Sequence, residues 1–96
     1  MRVPKQLKIC GHTYTVEVKK EPLVDHELVF GACFQKEQKI VLQQGMSQER
    51  LKEVILHETI HAIDEELRLD IGEFKVNTLA LMIKDLIVSN KLDFLS

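Results

Sequence analysis

The longest helical pattern in the chain runs from Ser47 to about Leu69 and carries His57-Glu58-Thr59-Ile60-His61 at its middle. Ser47 is a good N-cap residue, and Glu49 sits in the positive first turn. Leu51, Val54, Ile55, Ala62, Ile63 and Leu67 then recur at helical spacing, so one face of the helix must be covered. Residues four apart lie one turn above the other, which lets the two imidazoles converge on a single point. Neutral histidine nitrogens are ready ligands for zinc. Glu58 is offset around the helix from His57, so it reaches a water on such a metal rather than the metal itself. Metal-assisted peptide hydrolysis needs this pattern: the cation acidifies its water, and a carboxylate takes the proton as the water attacks a carbonyl. The competing reading is a solvated helix whose histidines merely cap or pack.

Ninety-six residues make one domain, 1–96, with no room for a second. A core of this size is marginal, so metal binding or self-association would add stability. An apolar fraction of 45% with 29% charged residues is globular composition rather than disorder. A net charge of −2, with Lys and Glu interspersed, argues against a direct nucleic-acid or anionic-membrane surface. Met1 to Lys5 is not followed by the apolar run of a secretory signal, and Leu79 to Ile83 is too short to cross a bilayer. A cytoplasmic protein follows as the expectation, with Cys10 and Cys33 as reduced thiols in strands. A structural zinc site joining them to the histidines would need distant segments to meet, and it lacks a Cys-x-x-Cys pair.

Ahead of the helix, Leu7 to Cys10 and Thr13 to Lys19 read as two strands joined by a tight turn around Gly11-His12. Glu21-Pro22 ends the second, and Asp25-His26-Glu27 is a polar connection. A third strand is expected from Leu28 to Gln35, with Gly31 marking a bulge or a close backbone approach. Lys36-Glu37-Gln38 turns into a fourth, Lys39 to Gln43. After the Asp70-Ile71-Gly72 break, a second helix runs from about Gly72 to Ser89, before a tail carrying Leu92, Phe94 and Leu95. Apolar residues cover well over half of this second helix, where a stripe of about 100° suffices for one-sided packing. It is therefore covered on two sides within the monomer, or it buries its spare face in a partner such as a second copy.

A catalytic zinc usually has three protein ligands and one water. A His-Glu-x-x-His-x-x-Gly-x-x-His pattern would put Gly at position 64 and His at 67, where Asp64 and Leu67 stand, so the metzincin reading fails. Asp64 lies near the histidine face but must reach back down the helix, as a ligand or as a partner to one. Glu73 is the better candidate, because the break lets the chain reverse and lays the opening of the second helix beside the first. Its competing role is in a cap, with Asp70 as N-cap and Glu73 reaching back. Asn77, one turn on, could hydrogen-bond a ligand.

The stretches His57-Glu58-Thr59-Ile60-His61-Ala62-Ile63-Asp64 and Glu73-Phe74-Lys75-Val76-Asn77-Thr78-Leu79-Ala80 resemble the compact gluzincin-type metallopeptidases, closest to the ImmA/IrrE-like group and small phage-type relatives. That group's second motif is of the type Glu-x-x-Ala-Asn-x-x-Ala. Glu73, Asn77 and Ala80 match it, with Val76 in place of the small residue. With the preceding strand pair, the resemblance covers about Leu28 to Ser89. It implies zinc on His57, His61 and Glu73, Glu58 as general base, and Asn77 as a partner to the ligands. It also implies a protein or peptide substrate, of which a DNA-binding regulator is one kind.

The expected fold is thus α+β and zincin-like: a largely antiparallel four-stranded sheet on two helices, with the site between a sheet edge and the first helix. A peptide would add as a strand along Leu28–Gln35 or Lys39–Gln43. Tyr14, His12 and His26 are weaker candidates for an oxyanion donor. The alternative function is a zinc-binding but non-hydrolytic interaction module.

Overall fold

A computed structural model describes residues 3–92; Met1-Arg2 and the tail residues Phe94 and Leu95 lie outside them. The order is β1 (Gln6–Ile9), β2 (His12–Lys19), β3 (Leu23–Val24), β4 (Glu27–Leu28), β5 (Gly31–Phe34), β6 (Lys39–Gln43), α1 (Gln48–Leu67) and α2 (Glu73–Ser89). The chain is a small α+β domain with a mixed sheet and two helices.

The four-stranded sheet has the order β1-β2-β6-β5. β1 pairs antiparallel with β2 and β5 antiparallel with β6, but β2 and β6 run parallel. The expectation of a largely antiparallel sheet is corrected here, and the reason lies in β6. Ile40, Val41 and Leu42 are three successive buried residues, so this strand needs cover on both faces. α1 covers Ile40 and Leu42 on one face, and Pro22 to Val24 lie over the Val41 side. In the sheet, β6 slots between β2 and β5, and the β5–β6 hairpin then fixes its direction as that of β2.

The expected third strand is also divided. Glu27–Leu28 pairs with Leu23–Val24 as a separate small hairpin, and the sheet strand begins only at Gly31. Asp25 and His26, in the left-handed region at φ 52° and 67°, form its turn. The first turn is shifted by one residue, with Cys10 and Gly11 at its corner and His12 already paired with Ile9. Cys10 is therefore in a turn rather than a strand; both cysteines are free thiols.

Alternation sends Ile40 and Leu42 to one face, where they pack with Ile9, Tyr14, Val54, Ile55 and Ala62 beneath α1. The helix starts where the sequence places it: Ser47 accepts from the Arg50 N–H at 3.2 Å. It ends at Arg68, which adopts a left-handed C-cap at φ 52°. α2 packs on α1, burying Val76, Ala80 and Ile87. Leu79, Leu81, Met82, Leu86 and Val88 remain exposed among the described residues. Cover on two sides within the monomer is therefore not found there. No helix is long and apolar enough to cross a membrane among the described residues.

Candidate metal centre

His57 and His61 lie on α1 with their ring centroids 4.7 Å apart, a turn's separation, and their planes inclined at 64°. Glu73 is the first residue of α2. Its Oε1 is 2.9 Å from His57 Nε2 and its Oε2 is 2.9 Å from His61 Nε2. One donor atom from each of the three residues lies within 4.8 Å of the others. The competition between ligand and cap at Glu73 is resolved by the backbone: Gly72, not Asp70, is the N-cap residue, and no side chain caps this helix. Gly72 at φ 86° is what lets the chain enter α2 with Glu73 beside the histidines.

Asp64 is used elsewhere. Its Oδ1 accepts from the Ile71 N–H at 3.3 Å, and its carbonyl accepts from Leu69 N–H. It thus braces the loop that delivers Glu73, and it is outside the three-residue donor group. Asn77 lines the cleft beside His57 and Glu58.

Glu58 is only 6% exposed, the one buried charged side chain among the described residues. Burial first, and then the carboxylates of Glu73 and Glu65, push its carboxyl up to about 7. Burial also lowers His57 below its ordinary 6.5, outweighing the opposite pull of Glu73. The imidazole is accordingly neutral at pH 7, the form that binds a metal. Gly31 stands directly across from Glu58: a Cβ there would lie 3.3 Å from Glu58 Cγ and 2.6 Å from Val54 Cγ1. The close backbone approach read from the sequence is therefore present, and it brings edge strand β5 against the helix.

Comparison with protein-family models, curated proteins and solved structures returns no match. What the site can do rests on its own geometry.

Two imidazoles and a carboxylate are a donor set that suits zinc, and three protein ligands are the number a catalytic site uses. Neither cysteine joins them. Burial pushes the Cys33 thiol up to about 12, so it packs against the core as a neutral group. The three weaker candidates are elsewhere. Tyr14 is fully buried and donates its hydroxyl to Glu66 Oε1 at 2.6 Å, His12 Nε2 is 3.4 Å from Glu66 Oε2, and His26 is exposed in the β3–β4 turn. Around Glu58 the structure instead gathers Phe30, Arg50 and Glu53, with His57 and Asn77, in a cleft of ≈ 270 Å³. Positions 50, 53 and 57 share one helical face, so spacing alone could have found Arg50 and Glu53. Phe30 carried no such signal.

Proposed function

We propose that this protein is a zinc-dependent peptidase of the zincin-like type, with His57, His61 and Glu73 holding the ion and Glu58 as general base. The observation that carries the reading is the convergence of those three donors beside a buried glutamate at the floor of an open cleft. Bound there, zinc would supply Lewis acidity, polarising a peptide carbonyl and acidifying water. Glu58 accepts the proton of the attacking water and returns it to the departing amine nitrogen. Its burial keeps that carboxylate clear of competing solvent.

The β5 edge orients the substrate. Gln43 N–H donates to the Phe30 carbonyl, so 30 and 43 form a hydrogen-bonded pair and the register alternates from there. The main-chain groups of Gly31 and Cys33 then point away from β6, free to pair with an extended peptide. Lys39–Gln43 is bonded on both sides, between β2 and β5, and offers no edge. The resemblance of the His57 and Glu73 motifs to gluzincin-type peptidases agrees with this reading and suggests a DNA-binding regulator as a substrate.

Purified protein should hold about one zinc per chain, and it should cut a proteome-derived peptide library in a reaction that a chelator stops. Glu58→Gln should keep the zinc while losing more than about a hundredfold in rate. Loss of both together would make Glu58 structural. A second reading, a zinc-binding interaction module without turnover, is favoured by the exposed apolar side chains of α2. Zinc on the wild type with no cleavage of the library selects it.

A further inference from the structure

Among the described residues, Arg50 is the only cation lining the cleft that holds His57 and Glu58. Its guanidinium carbon sits 4.7 Å from the centroid of the Phe30 ring. A stacked guanidinium is held in place without losing its outward hydrogen-bonding edge. None of the ion pairs among the described residues involves it; the nearby Glu53 faces Lys84 at 4.0 Å instead. Among the described residues, no ion pair therefore neutralises the positive charge at the mouth of the cleft.

The charges around it are unevenly placed. Glu53 and Glu58 line the cleft on the His57 side, so a second carboxylate entering there is repelled. On its other side, Arg50 and Phe30 also border an adjoining depression lined by Gln43, Gln44, Gly45, Met46 and Ser47, with no acid among them. Amide and hydroxyl groups there can donate to an anion, and Arg50 supplies the charge. We propose that Arg50, seated on Phe30, is the specificity-determining residue of a carboxylate-binding subsite in this depression, and that the protein selects acidic peptides. This rests on the peptidase reading for its place on the substrate. Seven residues of helix, about 10 Å, separate Arg50 from His57. That distance is about three residues of an extended peptide running past Gly31. A glutamate or aspartate side chain, or a chain-terminal carboxylate, would meet Arg50 there.

The test is binding of labelled decapeptide pools, by fluorescence anisotropy, to chelator-treated protein that cannot turn them over. One pool is acetylated and amidated with a single Glu, a second carries Gln in its place, and a third carries Gln with a free C-terminal carboxylate. The Glu pool, the free-carboxylate pool or both should bind about tenfold more tightly than the neutral pool. The preference should weaken with salt, fall below about twofold in Arg50→Gln, and survive in part in Arg50→Lys. Which acidic pool is preferred tells side-chain from terminal recognition. Equal binding of all three, or a preference that persists in folded Arg50→Gln, overturns the proposal. The same pools are then digested with zinc-loaded protein: selective binding without cleavage upholds the subsite and removes the peptidase reading. Cleavage without acidic preference does the reverse.

Discussion

A methyl group added at Gly31 would stand 2.6 Å from Val54 Cγ1, closer than carbon atoms come, and 3.3 Å from Glu58 Cγ. Val54 cannot swing aside cheaply, because a β-branched side chain on a helix has essentially one rotamer. The backbone at Gly31 is not left-handed, so the effect of Gly31→Ala is one of space and not of strain. We expect a loss of about 1–3 kcal/mol in stability, the usual cost of overpacking. The added methyl also presses on Glu58 Cγ, so the Glu58 side chain is displaced relative to the histidines of the same helix. Hydrolysis should therefore fall further than zinc affinity in this variant, as read by a zinc titration beside a cleavage assay. Adding Val54→Ala should return part of the lost stability, a non-additivity expected of residues in contact.

Among the elements, the tie between β2 and the end of α1 runs through Tyr14. Its hydroxyl donates to Glu66 at 2.6 Å from a fully buried ring. That hydrogen bond, followed by the neighbouring His12, holds the Glu66 carboxyl below its ordinary 4.5. A carboxylate lowered in the folded state stabilises it above pH 4.5, and the contribution is lost as pH falls through the lower folded value. Tyr14→Phe should thus lower the melting temperature at pH 7 by roughly 5 °C. The gap to the wild type should narrow below pH 4.5; a gap independent of pH would mean that packing, not the hydrogen bond, is what the hydroxyl serves. Tyr14 also marks where the sequence could be read and where it could not. Its place in an alternating strand was legible, as were α1 with its Ser47 cap, β6, the break at 70–72 and the course of α2. Those are local patterns of period and capping. The partner of Tyr14 was not legible, because Glu66 is 52 residues away. The same holds for the parallel pairing of β6 with β2, which depends on which strand most needs a central place. The β3–β4 hairpin was missed because Asp25-His26 adopts a turn that Asn-Gly would have announced. In the site, the helical spacing of His57, Glu58 and His61 foretold their shared neighbourhood, and the chain reversal at Gly72 foretold Glu73. Arg50 and Phe30 meet only because β5 crosses the helix there.

For the whole molecule, the consequence of the centre is that one ion would join two layers. The sheet and α1 share the main core, whereas α2, among the described residues, packs chiefly on α1, through a strip containing Val76, Ala80 and Ile87. Glu73 comes from α2 and both histidines from α1, so a cation bound to all three fastens the outer helix to the rest. Binding to the folded state only stabilises it by RT ln(1 + [L]/Kd), about 2.7 kcal/mol at a free concentration a hundred times Kd. Zinc should therefore raise the unfolding midpoint, and hydrogen exchange should slow most in the first turns of α2. Glu73 is exposed, with 62% of its side chain accessible, so Glu73→Ala should leave the metal-free midpoint nearly unchanged. Its zinc affinity should drop by more than the roughly 10- to 100-fold that loss of an outer-shell partner causes. At a fixed zinc concentration the gain in midpoint then disappears. An equal gain in the wild type and in Glu73→Ala would place the ion on the α1 histidines without α2, and the outer helix would have to be held by its apolar strip alone.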